Sequence, residues 1–272
     1  MTVTIGIAGC AGRMGRMLAA AVLETPAARL VGGTERPGHE AIGIDLGTLT
    51  GAAPAGAAIS VDAETMFAAA DVVIDFTTPA LIPEHVRLAA GHGTALVVGT
   101  TGLEPEHEAA LDEAAAKVAV VQAANMSVGV NLLLGLARQV AAILDESFDI
   151  EIVEMHHRHK IDAPSGTALA LGKAAADGRG VALDEVAARV RDGITGARPR
   201  GQIGFATLRG GDVVGEHTLI FAGEGERIEL THKASSRAIF ARGAVRAALW
   251  TEGRRPGRYS MRDVLGLTEP RA

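Results

Sequence analysis

The chain opens with a short β-branched run, a glycine loop and a helical pattern in immediate succession. The run Val3–Ala8 is typical of a buried strand. The loop glycines Gly9, Gly12 and Gly15 are spaced G-x-x-G-x-x-G rather than the commoner G-x-G-x-x-G. Apolar residues within the next segment, 16–23, recur at helical spacing. This order predicts a strand that enters a helix through a tight turn, where the helix N–H groups can hold a pyrophosphate. A tight turn without a ligand would need the same glycines.

The next segment supports a dinucleotide site. Residues 29–34 predict a second strand, and Glu35 follows Gly15 by twenty positions. A carboxylate at the end of the second strand is placed to bind the adenosine ribose hydroxyls. Arg36 beside it can face a 2′-phosphate and stack on the adenine. The pair therefore predicts use of both NADH and NADPH, whereas the alternative, a surface ion pair, leaves the spacing unexplained.

Strand and helix patterns alternate as far as residue 126. Further strands are predicted at 59–61, 71–76, 95–98 and 118–121, helices at 63–70, 81–92 and 105–116, and an irregular loop at 37–54. The predicted fold class is therefore α/β, a Rossmann-type doubly wound parallel sheet. Ligands of such sheets bind at the carboxyl ends of the strands. Polar or glycine-rich segments meet at that edge, namely 9–15, 35–36, 76–78, 99–101 and 123–126.

The pattern changes after a long helix predicted at 127–144. Residues 149–155 alternate polar and apolar side chains, which is typical of a strand with one solvated face. We expect a helix at 168–176, a loop with some helix at 177–202, and strands at 203–209, 213–222 and 227–234, joined as hairpins at 210–212 and 223–226. These elements predict a second α+β domain with a mixed open sheet that pairs with copies of itself. Because a helix at 236–250 is expected to return to the first domain, we assign 1–127 and 237–272 to dinucleotide binding and 128–236 to substrate binding and oligomerisation.

The stretch EMHHRHKIDAPSGT, residues 154–167, concentrates ionisable groups beside a turn that opens a helix. His156 can supply the proton that accompanies a hydride. Lys160 offers a mobile charge for one carboxylate or for a developing anion. Thr167, with the N–H groups of Gly166 and Thr167, can take a second carboxylate. Together with a nucleotide domain, the stretch predicts hydride transfer to a small dicarboxylate.

Two other interpretations of this stretch are open. Three nearby histidines suggest a metal site, but adjacent residues on a strand point to opposite faces, and no Cys or acidic residue has a spacing typical of structural zinc. We therefore expect no metal. A solvated basic face is the other alternative, although the Pro-Ser-Gly-Thr turn that follows argues against it.

Charge and composition limit the possible partners. With 26 Lys and Arg against 32 Asp and Glu, the net charge of −6 argues against general nucleic-acid binding. A single cysteine, Cys10, excludes an intrachain disulfide and fits a reducing compartment. The first apolar run lacks a basic leader and is interrupted by glycines, and residues 118–144 are too polar for a membrane span. We expect a cytoplasmic protein without nucleic-acid or membrane partners.

The motifs together resemble one family over essentially the whole chain. They are GCAGRMGR, Glu35-Arg36, VVGTTG, AANMSVGVN, EMHHRHKIDAPSGTA, GFATLRGGDVVGEHT and THKASSR. On these motifs the chain is similar to the 4-hydroxy-tetrahydrodipicolinate reductase (dihydrodipicolinate reductase) family. The family loop usually reads GAGGRMG, so Cys10-Ala11 is a departure, between small residues, from which little effect is expected. Met126 stands where an aromatic residue is frequent, which predicts an altered contact with the nicotinamide.

The resemblance implies a role for each site residue. His156 is implied as the proton donor or acceptor and Lys160 as the other catalytic residue. Substrate carboxylates are implied to bind His157, Gly166 and Thr167. The implied nucleotide contacts are Gly9, Cys10, Ala11, Gly12, Arg13, Met14, Glu35, Arg36, Gly99, Thr100, Thr101, Ala123, Ala124, Asn125 and Met126.

The resemblance also implies a reaction and an assembly. The family reduces 4-hydroxy-tetrahydrodipicolinate to tetrahydrodipicolinate with NADH or NADPH and loss of water, in diaminopimelate and lysine biosynthesis. It is usually a homotetramer built on the sheets of the second domain, and domain closure is expected here about hinges near Ser127 and Ser235-Ser236. The alternatives are another Rossmann dehydrogenase acting on a small dicarboxylate, and a nucleotide-sensing module. An aldehyde dehydrogenase would need a nucleophilic cysteine, yet Cys10 lies inside the phosphate loop.

Overall fold

A computed structural model describes residues 2–267 of the chain, which divides into two compact units. Unit 1 comprises Met1–Val128 with Ala238–Ala272, and unit 2 comprises Gly129–Arg237. Each boundary lies one residue beyond the one proposed from the sequence. The roles assigned to the units, dinucleotide binding and substrate binding, stay predictions.

Unit 1 is built on a seven-stranded sheet whose paired strands all run parallel. The strands are β1 Val3–Ala8, β2 Ala28–Thr34, β3 Ile59–Ser60, β4 Val72–Asp75, β5 Ala95–Val98, β6 Ala119–Gln122 and β12 Gly257–Tyr259. Their order is β12-β6-β5-β4-β1-β2-β3. The helices are α1 Arg13–Leu23, α2 Leu46–Leu49, α3 Ala63–Ala69, α4 Ile82–His92, α5 Pro105–Ala115, α9 Ala238–Trp250 and α10 Met261–Val264, with a 3₁₀ turn at Pro79–Leu81. The predicted doubly wound parallel fold is confirmed.

This sheet is buried on both faces, because alternate residues of its strands pack into two different apolar clusters. On one side Ile5 and Ile74 pack with α1 and α9, and on the other Val73 and Leu96 pack with α3, α4 and α5. Each fully buried aliphatic side chain of this size contributes ~1.5–3 kcal/mol. Helices therefore cover the two faces of the sheet, and the loops at its carboxyl edge carry the polar residues.

Unit 2 contains a five-stranded mixed sheet in the order β11-β10-β7-β9-β8. Its strands are β7 Asp149–His156, β8 Ala187–Ala188, β9 Ile203–Arg209, β10 Gly215–Ala222 and β11 Arg227–Ala234. The helices between β6 and β9 are α6 Val128–Ile143, α7 Gly166–Arg179 and α8 Leu183–Val186. The central strand β7 runs parallel to β9 and antiparallel to β10. The predicted mixed open sheet is confirmed.

The hairpin predicted at 210–212 is wrong. Strand β7 lies between β9 and β10 and pairs with both, so this connection crosses over β7 instead of joining two neighbours. A glycine turn indicates a change of chain direction but not which strands pair. Here β7 pairs with β9 over residues 150–156 and with β10 over residues 149–155. The turn at 223–226 does form a hairpin, with the Gly223 N–H donating to the Glu226 carbonyl at 2.9 Å.

Several short elements depart from the sequence prediction. Helix α2 interrupts the loop expected at 37–54, because the Asp45 carboxylate accepts from the Gly47 and Thr48 N–H groups at 2.8 and 3.2 Å. Helix α8 and strand β8 fall in the loop expected at 177–202, and β12 adds an edge strand beside β6. Helix α7 begins at Gly166, two residues before the predicted start. No helix among residues 2–267 has the length and apolar character needed to cross a membrane.

Candidate active site

The carboxyl end of β7 presents Glu154 and His156 on one face of the sheet. Side chains alternate along a strand, so residues two apart point the same way. The Nδ1 atom of His156 lies 2.5 Å from Oε2 of Glu154, and Glu154 is only 1% exposed. An ionised Glu154 places the proton of a neutral His156 on Nδ1. The other ring nitrogen, Nε2, is then the one left for chemistry.

Glu154 also accepts hydrogen bonds from two further residues. Arg209, at the end of β9, donates from Nη1 to Oε2 at 2.8 Å and from Nη2 to Oε1 at 3.0 Å. The Ser165 N–H donates to Oε1 at 2.9 Å. Burial opposes the charge of this carboxyl, but hydrogen bonds from Arg209, His156 and Ser165 outweigh it and hold the pKa of Glu154 below its ordinary value. Glu154 is therefore an anion at neutral pH.

His217 on β10 completes the group from the neighbouring strand. It faces Glu154 across the β7–β10 ladder, and its Nε2 lies 3.0 Å from the Ser165 hydroxyl. Its ring stands edge-on to that of His156, with centroids 5.0 Å apart. Burial, and next the neighbouring His156, lower the pKa of His217 from 6.5 to about 4. His217 is therefore neutral at neutral pH, and we call Glu154, His156, Ser165, Arg209 and His217 the Glu154 cluster.

The surroundings of His156 disfavour its charged form. Burial lowers the pKa of His156 most, Glu154 opposes this, and the cations Lys160 and Arg209 lower it further, so the net shift is downward. The Nε2 atom lies beside Gly215, since a Cβ added there would be 2.9 Å from it. A larger residue at position 215 would press on this nitrogen. The unliganded protein thus holds His156 neutral, with Nε2 unprotonated.

The start of α7 adjoins the Glu154 cluster through Ser165. The Ser165 hydroxyl caps the helix by accepting from the Ala168 N–H at 3.2 Å. Gly166 and Thr167 are the first two helical residues. Gly166 is exposed, and nothing lies within 4 Å of a Cβ added to it. Helix starts of this kind direct their N–H groups toward an anion, so the first turn of α7 is a candidate carboxylate site. We call the N–H groups of Gly166 and Thr167 the anion seat.

Lys160 and His157 lie in the turn between β7 and α7. The Lys160 ammonium pairs with Asp162 Oδ1 at 2.8 Å. His157 makes its contacts outside the Glu154 cluster, with Nε2 3.4 Å from Arg237 Nη2 and its ring 6.3 Å from that of His159. All the residues predicted for the substrate therefore lie between the end of β7 and the first turn of α7, and Arg237 joins them from the end of unit 2.

The three histidines of the stretch do not converge on one point. His156 contacts Glu154 and His217, whereas His157 and His159 neighbour each other. Within residues 2–267, no three His, Cys, Asp or Glu side chains are grouped as a metal ion would require. The geometry supports acid–base chemistry at His156 and gives the metal interpretation no support.

In unit 1, the glycine loop between β1 and α1 is shaped for close approach by a ligand. Gly9 has a φ of 67°, in the left-handed region that favours glycine. A Cβ at Gly15 would lie 2.3 Å from the Gly9 carbonyl oxygen, so only glycine fits where the helix packs on the loop. Gly12 is the N-cap residue of α1 and has no side chain to bond the helix N–H groups, and Arg13 and Met14 begin the first turn. A helix start without a side-chain cap fits the pyrophosphate of a dinucleotide.

Glu35 contacts this loop from the end of β2, and Cys10 is part of the loop. Oε1 of Glu35 accepts from the Ala11 N–H at 3.0 Å, which places the carboxylate directly beside the loop, and Arg36 next to it is exposed. Cys10 is fully buried. Burial, and next the charge of Glu35, raise the pKa of the Cys10 thiol to about 12, so it is no nucleophile at neutral pH. The burial of Cys10 therefore argues against an aldehyde dehydrogenase that uses this thiol.

Asp75, at the end of β4, links the tips of two strands. It accepts from the Thr77 N–H and hydroxyl at 2.8 and 2.7 Å and from the Thr100 hydroxyl at 3.0 Å. The Nδ1 atom of His85, on α4, lies 2.6 Å from its other oxygen. Burial opposes the charge of Asp75, but the hydrogen bonds from His85 and Thr77 outweigh it and lower the pKa of this carboxyl. Asp75 therefore fixes Thr100, a predicted nucleotide contact, to the neighbouring strand tip.

The other predicted nucleotide contacts follow β5 and β6 at the same edge of the sheet. A Cβ at Gly99 would overlap the Phe76 ring, so glycine is needed where β5 ends. Thr101 and Ala124 are exposed, and the Ala123 N–H is bonded to the sheet.

Asn125 and Met126, the last two predicted nucleotide contacts, differ in their surroundings. Asn125 accepts from the Ser127 N–H at 2.9 Å through Oδ1. The Met126 side chain is only 1% exposed and belongs to the apolar core, and a Cβ at Gly243 would strike its carbonyl oxygen. The Met126 side chain therefore packs in the apolar core of unit 1, and the altered nicotinamide contact predicted for Met126 stays a prediction.

Sequence reasoning assigned no role to Glu154, Arg209, His217 or Asp75. The strand period was a sufficient signal for Glu154, because it stands two residues before His156 on a strand. Arg209 and His217 reach the site from β9 and β10, so their roles depend on strand order. Asp75 lies in the predicted strand 71–76, where an apolar run gave it no functional signal.

Comparison with known proteins identifies the family. The family model described as dihydrodipicolinate reductase, N-terminus, matches residues 3–126, and the one described as dihydrodipicolinate reductase, C-terminus, matches residues 129–265. The chain belongs to the dihydrodipicolinate reductase family. The resemblance predicted from the motifs is confirmed.

Curated relatives support membership of the dihydrodipicolinate reductase family. The 4-hydroxy-tetrahydrodipicolinate reductase of Ruegeria pomeroyi is 57% identical over 263 residues, which cover 97% of this chain and 98% of that protein. The enzyme of the same name from Afipia carboxidovorans is 59% identical over 261 residues, which cover 96% of each.

Solved structures share the fold. A dipicolinate-bound dihydrodipicolinate reductase from Paenisporosarcina sp. TG-14 superposes with a TM-score of 0.76 at 24% identity, over 96% of this chain and 98% of that one. GenD2 from gentamicin A biosynthesis, in complex with NAD, superposes with a TM-score of 0.60 at 15% identity, over 98% of this chain and 91% of that one. The likeness extends from dihydrodipicolinate reductases to other proteins of this fold.

Proposed function

We propose that this chain reduces 4-hydroxy-tetrahydrodipicolinate to tetrahydrodipicolinate, with NADH or NADPH as reductant and with loss of water. The observation that carries the proposal is family membership over both units, with identities of 57% and 59% to reductases of that name. The geometry supports it, because the Glu154 cluster holds a proton-transfer group beside an anion seat.

Unit 1 binds the cofactor in this proposal. Bound NADH or NADPH supplies the hydride. The glycine loop and the first turn of α1 hold the pyrophosphate, Glu35 accepts from the ribose hydroxyls, and Arg36 faces the 2′-phosphate of NADPH. Residues 99–101 and 123–126 complete the nucleotide site at the edge of the sheet.

Unit 2 binds the substrate. Gly166, Thr167 and His157 hold the carboxylates, and Lys160 stabilises negative charge as it develops. His156 gives the proton from Nε2, while Glu154 orients the ring and stabilises the imidazolium. A positioned general acid of this kind contributes ~10²–10⁴-fold in rate.

We further propose a cytoplasmic homotetramer assembled through the outer face of the unit 2 sheet. The outer face is the side that carries half-exposed Val153, Met155 and Ile220 and exposed Leu208. Apolar side chains on an open sheet favour pairing with a copy. Sedimentation velocity should give four chains per particle, and a monomer would contradict the assembly. Cell fractionation tests the compartment.

The test of the reaction uses the product of the preceding synthase, freshly made. We expect NADH oxidation that requires this product and is inhibited by dipicolinate. NADH binding without oxidation would instead indicate a nucleotide-sensing module. Oxidation with a different small dicarboxylate, and not with this one, would indicate another dehydrogenase of the same fold.

A further inference from the structure

We infer that Glu154 is a positioning residue that fixes the proton donor and the anion seat together, and that the site takes up a proton along with its dianionic substrate. The inference deepens the proposed function and rests on it, since it requires a dicarboxylate at the start of α7.

One carboxylate contacts both halves of the site. Oε2 of Glu154 lies 2.5 Å from His156 Nδ1, and Oε1 accepts from the Ser165 N–H at 2.9 Å. Ser165 is the capping residue of α7, so its position sets where the first helical N–H groups stand. A displacement of Glu154 would therefore move the ring of His156 and the anion seat relative to each other.

Arg209 holds this carboxylate in place. Its guanidinium binds both oxygens of Glu154, a geometry that fixes the plane of the carboxylate as well as its position. Its Nη2 also donates to the Asp162 carbonyl at 2.6 Å. Arg209 thus connects β9 to Glu154 and to the turn that leads into α7.

The charges that face His156 come from every element around it. They are Glu154 on its own strand, Arg209 on β9, neutral His217 on β10, and the Lys160–Asp162 ion pair in the following turn. With His156 neutral, the two cations balance the two carboxylates. A proton on His156 would add an uncompensated positive charge in a buried place, and the pKa of His156 is accordingly lowered.

A bound dicarboxylate reverses this balance. It brings two negative charges to the seat beside the cluster, and an opposite charge within ~4–6 Å raises the pKa of a base by roughly 1–3 units. His156 then carries a proton on Nε2 when the substrate is present. The donor becomes charged only when there is a substrate to accept its proton.

The test is calorimetry of dipicolinate binding to the NADH-saturated protein at neutral pH, in buffers of different ionisation enthalpy. The dependence of the observed heat on the buffer gives the number of protons taken up. We expect about one proton per site for the wild type. His156→Gln should bind dipicolinate with no uptake.

Glu154→Gln removes the charge and keeps the shape of the side chain. We expect kcat to fall ~10²-fold, because an amide holds the ring and the imidazolium poorly. The pH above which kcat declines should move lower, and proton uptake at neutral pH should fall by more than half. Glu185→Gln is the matched control, because Glu185 is an exposed residue of α8 in the same unit. That variant should match the wild type in all three measurements.

The outcomes separate this inference from the proposed function. Binding of dipicolinate by the wild type without proton uptake overturns the inference and leaves the proposed reaction standing. Failure to bind dipicolinate contradicts the dicarboxylate site on which both rest. Unchanged uptake in His156→Gln, or wild-type kinetics in Glu154→Gln, also overturns the inference. The wild-type measurement needs no variant, and circular dichroism checks the fold of each variant.

Discussion

At the scale of single residues, the site depends on which nitrogen of one histidine carries a proton. Glu154 is bonded to Nδ1 of His156, so proton exchange with a ligand is left to Nε2. A glutamine at position 156 fills similar space but cannot carry a proton at neutral pH. Binding and proton transfer can therefore be separated experimentally at this position.

His156→Gln should lower kcat by ~10²–10⁴-fold, because the proton is transferred in the transition state. KM should rise by no more than about tenfold, because the proton taken up with the substrate contributes less to binding than to the transition state. Steady-state NADH oxidation measures both. His92→Gln is the matched control, since His92 lies at the end of α4 and contacts Glu64. A wild-type kcat in His156→Gln would remove this residue from the mechanism.

Arg36 carries the prediction of dual cofactor use. The wild type should show similar kcat/KM for NADH and NADPH. Arg36→Ala should lower kcat/KM for NADPH by about tenfold, which corresponds to one lost charge-assisted hydrogen bond, and should spare NADH. Arg29→Ala, an exposed arginine near the other end of β2, should change neither value. A strong preference of the wild type for one cofactor would contradict the dual-use prediction.

At the scale of elements, the sequence predicts what depends on neighbouring residues in the chain. Strand β1, the glycine loop and α1 were predictable, because periodicity and glycine spacing are local signals. The hairpin at 210–212 failed, because strand order is decided by packing across the sheet. The roles of Arg209 and His217 were not predicted because their partners, Glu154 and Ser165, are distant in sequence, and Asp75 lies in an apolar run. The role of Glu154 could have been predicted, because the strand period alone places Glu154 on the same face as His156.

Asp75 links β4 to α4 through His85 and to the predicted cofactor contact Thr100. Asp75→Asn should raise KM for NADH, because an amide cannot accept from Thr77, Thr100 and His85 together. It should also cost ~2–3 kcal/mol of unfolding free energy in urea. Asp71→Asn is the control at the opposite end of β4, where Asp71 accepts from the Thr4 N–H and hydroxyl. That variant should keep the wild-type KM. A normal KM in Asp75→Asn would make Asp75 a purely structural residue.

At the scale of the whole molecule, the buried ionisable groups of unit 2 link its stability to pH. His217 has a lower pKa in the folded protein than in the unfolded chain, so only the unfolded chain binds its proton between the two values. Its contribution to stability is complete above 6.5 and is lost as the pH falls toward about 4. Glu154 acts in the same direction at lower pH, since its pKa is also lowered and its stabilisation is lost on acidification through the folded value.

We predict that the free energy of unfolding falls by roughly 3 kcal/mol through His217 alone as the pH decreases across this window. Urea unfolding at a series of pH values measures the change. His217→Asn should make the pH dependence shallower, whereas His92→Gln should keep the wild-type slope. Equal slopes in the wild type and His217→Asn would show that His217 is not the group responsible.

The central claim is that residues 154–167 form the substrate site, with the Glu154 cluster on one side and the start of α7 on the other. The most direct measurement is a crystal structure of the protein with NADH and dipicolinate bound. The account predicts one carboxylate on the Gly166 and Thr167 N–H groups, with His156 Nε2 facing the ligand and Glu154 still bonded to Nδ1. Dipicolinate bound away from this segment, or a His156 ring turned away from the ligand, would contradict it.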